Sequence, residues 1–438
     1  MAIDMTKGNS TKNLFHFSIP LFWGSILQNL YNIVDSIIVG RYLGKEALSI
    51  VSNTYAPMLL INSIVIGLAS GITILISQSY GKKNYNRIGQ LYYSMIWLAI
   101  ALSILMVAYG LFFSNYLFSL MQIPTEMIKG VNVYFRLTAL GFPFVILYNF
   151  FASMFKGFGD SRISLYILVV SSVINIVMDI INVVVLKLGI PGAAYGTVIA
   201  QIGSAVCMMI YFYSCRGRIR IQAVRRCFKE VIQDIYTIVK SGITSTVQNF
   251  FSAFSMIFIQ STINTFGVDA ISAFSAAYKI ESILTVPAVS LGSSLGVFVG
   301  QNMGADLKLR IKNGLKSSIY IAVLLTLAVN FLIWFSGEKL LYLILGNEQE
   351  TIKLGQYYLK IVGFFYFLLV LLYILTNYLR ALGEVVYPLF NTILELSSRI
   401  VLVLCLAQIF GLNGVFFARP LSFLISAASL SVKSILKK

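Results

Sequence analysis

Apolar runs of about 20 residues recur along the whole 438-residue chain, and no other feature limits its fold so severely. At 1.5 Å per residue each run is long enough to cross a hydrocarbon core about 30 Å thick. Inside that core the backbone must satisfy its own hydrogen bonds, so the runs read as helices. Hydrophobic residues make up 58% of the chain and charged residues 11%, where a soluble domain carries about 25% charge. The fold class that follows is an all-α integral membrane protein. Twelve transmembrane helices are predicted, over about 14–38, 52–79, 89–113, 131–155, 163–187, 191–214, 239–263, 275–300, 314–336, 357–379, 386–410 and 412–432.

The twelve divide into two related sets. Residues Gly44 to Ile88 return at Gly267 to Ile311 with a shift of 223 and no gap, and 11 of 45 positions match. Gly44, Tyr55, Gln78, Gly81 and Arg87 meet Gly267, Tyr278, Gln301, Gly304 and Arg310. Two further turns echo at about the same distance. Lys156-Gly157-Phe158-Gly159-Asp160 parallels Arg380-Ala381-Leu382-Gly383-Glu384, and Gly189-Ile190-Pro191-Gly192 parallels Gly411-Leu412-Asn413-Gly414. The chain therefore reads as two pseudo-symmetric six-helix lobes, residues 1–215 and 239–438, joined by a basic cytoplasmic linker at 216–238. An even number of spans separates equivalent points, so the lobes cross the bilayer in the same sense, with a cleft expected between them.

Charge sets the orientation. The formal net charge of +17 lies mostly in connections between apolar runs, where it fixes topology, and a nucleic-acid partner is not implied. Placing the amino terminus inside gives about a three-to-one excess of Lys and Arg on the cytoplasmic side, so both termini are expected in the cytoplasm of a multi-pass plasma (inner) membrane protein. The polybasic stretch around Arg216, Arg218, Arg220, Arg225 and Arg226 is expected to lie on the lipid bilayer. The first span lacks a cleavage site and reads as a retained helix. Cys207, Cys215, Cys227 and Cys405 have no paired spacing, and neither a metal-ligand cluster nor a nucleotide-binding loop occurs. His16 is the single histidine. Enzymatic chemistry, a cofactor and ATP-driven work are not indicated.

Acids inside spans are costly, about 2.5–3.5 kcal/mol at a helix centre, and so mark function. Asp35 lies on a face with Gln28, Asn32 and Tyr31 in the first span; Asp179, in the fifth, follows Asn175 by four residues and precedes Asn182 by three. Both reach the outer half of the membrane at comparable depth. Two carboxylates facing each other at low dielectric favour a shared proton or a bound sodium ion. Thr197 in the sixth span adds a hydroxyl. The second half does not repeat these acids. Glu395 and Arg399, four apart, read as a neutralising pair. Gln28, Tyr31, Asn32, Tyr55, Tyr278 and Lys279 are candidates to line the substrate cleft, and Glu281 is a candidate there as an attractor for a cationic substrate.

Several motifs carry a family resemblance: LQNLYNIVDSIIVGRYLG, SQSYGKKN, KGFGDSR, NIVMD, GIPGAAYGTVIAQ and GQNMGA. Through them the chain resembles the multidrug and toxic compound extrusion (MATE) exporters over essentially its whole length. The resemblance implies a secondary active antiporter that works by alternating access, exporting substrates against inward protons or sodium. It also implies a cation site at Asp35, Asn175, Asp179 and Thr197. Other branches use acids of the seventh and tenth helices, and neither span contains one here. The expected substrates are small amphipathic organic cations held by stacking and cation–π attraction, and the expected state is a monomer. The rivals are a flippase of lipid-linked precursors and a membrane-embedded enzyme.

Overall fold

The computed structural model describes residues 3–121, 123, 125–219 and 226–436. Every regular element among them is helical. In chain order these are α1 (Ser10–Gly81), α2 (Tyr85–Phe112), α3 (Ser114–Leu120), α4 (Thr125–Ala139), α5 (Phe142–Gly157), α6 (Arg162–Asp179), α7 (Ile190–Ile219), α8 (Phe228–Asn264), α9 (Val268–Gly304), α10 (Lys308–Leu345), α11 (Gln349–Phe364), α12 (Tyr366–Ala381) and α13 (Val386–Leu436). A π-helical turn, Ile180–Val185, continues α6.

Among the described residues seven helices are long and apolar enough to span a membrane, and two bent pairs, α4 with α5 and α11 with α12, raise the number to 9. The α13 helix breaks at Gly411 into two arms, and α1 likewise breaks at Gly44. Counting both α13 arms, the first arm of α1 and the Ser-, Thr- and Asn-rich α8, the described residues form twelve spanning segments. They match the twelve predicted from sequence, with two differences. The fourth and tenth spans are not straight: they bend by 44° and 47°.

The repeat is legible in backbone angles. Gly44 and Gly267 share nearly one conformation, φ 85° with ψ −179° and φ 92° with ψ 176°. Side chains with a Cβ rarely adopt it, so both copies need glycine at that turn. The bends agree as well: the break after Ala139 recurs after Gly363–Phe364, 224 residues on.

By compactness the chain separates into one unit of residues 1–3 and 23–242 and a second of 4–22 and 243–438. The boundary near 242 lies close to the sequence boundary at 239, but residues 4–22 pack with the second unit. Hydrogen bonds explain why. The Met5 backbone N–H donates to Gln301 Oε1 at 3.0 Å, the Asn302 side chain donates to Met5 O at 3.0 Å, and Arg310 reaches the carbonyls of Met5, Lys7 and Gly8. In the first unit the repeat mate of Arg310, Arg87, binds the buried Asp234 at 2.7 Å, and Arg226 binds the same carboxylate. Ser94 donates to Asp234 at 3.3 Å, while Thr11 donates to Ser317 at 2.9 Å. Ser94 and Ser317, like Thr11 and Asp234, stand 223 residues apart. Each repeat thus holds the segment that leads into its partner's first span.

Rings fill the first unit's core: Phe151 and Tyr92 lie 4.9 and 5.0 Å from Phe212. Where α1 meets α8 the backbones touch. A Cβ on Gly71 would lie 2.6 Å from Ile238 O, and one on Gly242 would lie 2.6 Å from Gly67 O. Small residues permit that approach. Gly242→Ala should therefore cost about 1–3 kcal/mol, seen as a lowered Tm, because backbone rather than a movable side chain obstructs the methyl. At Gly217 nothing lies within 4 Å, and alanine there should not lower Tm.

Candidate cation site

Four helices of the first unit bring together a cluster of six polar residues. Asp35 and Tyr31 come from the first arm of α1, Tyr134 from α4, Asn175 and Asp179 from the end of α6, and Thr197 from α7. Residues 31 and 35 are four apart, as are 175 and 179, so each pair stands on one helix face. The Asp35 and Asp179 carboxylates stand close enough to interact electrostatically, with Asn175 beside Asp179. The Thr197 hydroxyl lies within reach of the Tyr31 and Tyr134 hydroxyls. It donates to Ala193 O at 3.2 Å, which leaves its lone pairs open to accept from the tyrosines.

Burial separates the two acids: Asp179 is 1% exposed, whereas Asp35 is half-buried. No basic side chain pairs with either among the described ion pairs. Both Asp179 oxygens, one Asp35 oxygen and both carboxamide atoms of Asn175 complete no hydrogen bond of good geometry among the described residues. Buried polar atoms gathered in this way form a set that a proton, an ion or ordered water would complete. The donor set of two carboxylates, an amide oxygen and hydroxyls suits a proton or a hard monovalent cation.

Two local features shape the cluster. Gly196 passes so close that a Cβ would strike Asp179 Oδ1, so only glycine admits the carboxylate. Immediately beyond Asp179 the helix widens into the π turn; the Leu186 N–H bonds to Ile181 O at 2.8 Å, and Asn182 donates to Gly192 O at 3.3 Å. Such turns frequently mark working sites. Asn182 thus spends its amide on backbone rather than joining the two acids.

Sequence reasoning proposed Asp35, Asn175, Asp179 and Thr197, and the fold brings these four together. Tyr31, assigned to the substrate cleft, belongs to the same cluster. Tyr134 was missed; its register mate Tyr358, 224 residues on, was the available signal. Gln28 and Lys279 are exposed, and Tyr55 is 64% exposed. The side chain of Asn32 lies outside the described residues.

Glu281 departs from the sequence reading. Rather than presenting a bare negative charge to a substrate, it is 1% exposed and accepts from Tyr358 Oη at 2.6 Å and Arg419 Nη1 at 2.8 Å. The Arg419 guanidinium also covers the Tyr278 ring at 5.5 Å, and Tyr278 stacks on Phe274. Sequence spacing could not reveal a partner 138 residues away. Glu395 and Arg399 form the expected intrahelical pair, with Ser422 alongside.

The comparisons agree with this architecture. The MatE family profile matches residues 20–181 and 241–426, most of both units. The chain is 30% identical to the probable multidrug resistance protein YoeA of Bacillus subtilis, covering 87% of this chain and 84% of that one. It is 29% identical to the probable multidrug resistance protein YpnP of the same organism, over 98% and 95%. A solved MATE structure in the bent conformation superimposes with a TM-score of 0.91 at 22% identity, covering 99% of this chain and 96% of that one. Helices apolar enough to span a membrane, the duplicated unit and these matches converge: the chain belongs to the MatE family, multi-pass membrane transporters of the multidrug efflux type rather than enzymes.

Proposed function

We propose that the protein exports small amphipathic organic cations in exchange for an inward-moving proton or sodium ion, and that Asp35 and Asp179 take up the driving ion. The observation that carries this reading is the pair of facing carboxylates with no basic partner and with unmet hydrogen-bonding capacity. An ion captured there neutralises their repulsion and draws α1, α6 and α7 together, because the acids, Asn175 and Thr197 stand on those three helices. Substrate release then follows if the contracted arrangement binds substrate less well, since a ligand shifts an equilibrium only by its differential affinity. By alternating access the ion enters from outside and leaves inside, and both termini lie in the cytoplasm of the plasma membrane. Exposed aromatic faces such as Tyr55 suit a flat cation.

One proton exchanged for one monovalent cation is electroneutral and supplies about 1.4 kcal/mol per pH unit. A gradient experiment identifies the ion. In proteoliposomes, an imposed pH gradient and an imposed sodium gradient are tested separately for uptake of a fluorescent cationic dye. One of them is expected to drive accumulation; accumulation under neither would overturn the exchange reading.

A further inference from the structure

From the repeat we infer that the second unit carries the counterpart of the carboxylate site, with the guanidinium of Arg419 fixed in it as a permanent, tethered cation. The inference rests on reading the Asp35 and Asp179 cluster as a cation site, and it goes beyond that reading by assigning a second one.

Register identifies the counterpart. The turn Gly189/Gly411 fixes a shift of 222 for the helices that follow, and both glycines hold positive φ, 67° and 59°. That shift sets Thr197 against Arg419. The shared bend in α4–α5 and α11–α12 fixes a shift of 224, which sets Tyr134 against Tyr358. In the first unit the tyrosine and the threonine gather beside two acids. In the second the tyrosine and the arginine gather on one acid, Glu281. The equivalent positions therefore build equivalent sites.

Charge distinguishes them. Asp35 corresponds to Phe258 by the repeat shift of 223, and Asp179, which precedes the Gly189 turn, corresponds to Val403 by the shift of 224 between Gly159 and Gly383; neither is acidic, and the second unit takes its carboxylate instead from Glu281 on α9. Where the first unit has a neutral threonine, the second has a cation on a stem. Glu281 Oε1 and Arg419 Nε are buried and complete no hydrogen bond among the described residues. That is the pattern of an ion seated in a pocket rather than a fork matched atom for atom to a carboxylate. A tethered cation cannot exchange. Ion coupling is thereby confined to the first unit, and the second keeps its helices assembled around a charge that never leaves.

The experiment removes the tether. Arg419→Thr, which places the repeat residue there, is made in an Asp35→Asn background so that the first site does not report. Thermal unfolding of the purified protein in detergent is followed with millimolar guanidinium, sodium or choline. Arg419→Thr should lower Tm, and guanidinium, but not the bulkier choline, should recover about 4 °C in a saturable manner. The recovery should vanish when Glu281→Gln is added. Arg419→Gln carries the same comparison if the threonine variant is not recovered folded. Failure of guanidinium to raise Tm in both variants, or a rise that persists with Glu281→Gln, overturns the inference. Because Asp35 is already neutral, that failure is distinct from failure of the exchange reading, which is measured by transport with Arg419 intact.

Discussion

Asp35→Asn and Asp179→Asn should each abolish gradient-driven accumulation of a cationic dye in proteoliposomes, while the purified variants remain folded. A pH gradient sustains about a tenfold concentration ratio per unit when one proton is exchanged for one monovalent cation. Uncoupling returns that ratio to unity, so the expected loss is about tenfold for each pH unit imposed. Folding should survive, because the substitution removes repulsion between two like charges and leaves polar atoms in the same place. Asparagine also preserves the volume that Gly196 makes available to residue 179. A variant that unfolds says the carboxylates are structural; a variant that accumulates dye as before says they are not coupled to transport.

Glu281→Ala should have the largest effect on stability. It removes the carboxylate from a buried pair and leaves Arg419, with 17% side-chain exposure, unneutralised beneath the Tyr278 ring. Breaking a buried pair by deleting one partner costs about 3–5 kcal/mol, most of it the penalty of the abandoned charge. Tyr358 would lose its acceptor at the same time. Unfolding followed by Tm in detergent measures the loss. The exposed Lys353–Glu350 pair, with side chains 70% and 82% exposed, is the internal control: Glu350→Ala should leave Tm unchanged. Equal effects from the two substitutions would mean that Glu281 is solvated in solution.

Much of this arrangement is legible in the sequence because membranes leave little choice. Twelve apolar runs require twelve helices, and polar stripes at helical spacing require a protein or water-filled neighbour. The stripe through Asp35 and the stripe through Asp179 were therefore readable separately. Their meeting was an expectation from matched depth, and the fold brings them together. What escaped the sequence depends on long-range geometry. Tyr134 carries no local pattern that distinguishes it from 24 other tyrosines, and only its register mate Tyr358 marks it. Arg419 reads as one more charge near a helix until its register against Thr197 is drawn. The π turn after Asp179 leaves no compositional trace, since IINVVV is compatible with an ordinary helix. Nor does the sequence show that Arg87 and Arg310, plain repeat mates, grip the segments entering each other's first spans.

Several glycines show the same division. Gly44 and Gly267 are predictable, because a repeated turn glycine implies a positive φ. Gly196 is different: it lies within a helix, where glycine only weakens the element, and its purpose is to make room for Asp179. Only the packed structure distinguishes a glycine that bends the chain from one that clears space.

Reciprocal linkage between substrate and driving ion supplies the most direct measurement. If the ion held by Asp35 and Asp179 lowers substrate affinity, substrate binding must expel the ion by the same factor. Purified protein in weakly buffered detergent solution is mixed with a lipophilic cation such as tetraphenylphosphonium, and released protons and sodium are recorded with a pH dye and a sodium-sensitive fluorophore. The account predicts release of about one ion per bound substrate and none from the Asp35→Asn/Asp179→Asn protein, which still binds substrate. Equal release from that double variant would place the exchanged ion elsewhere and contradict the account.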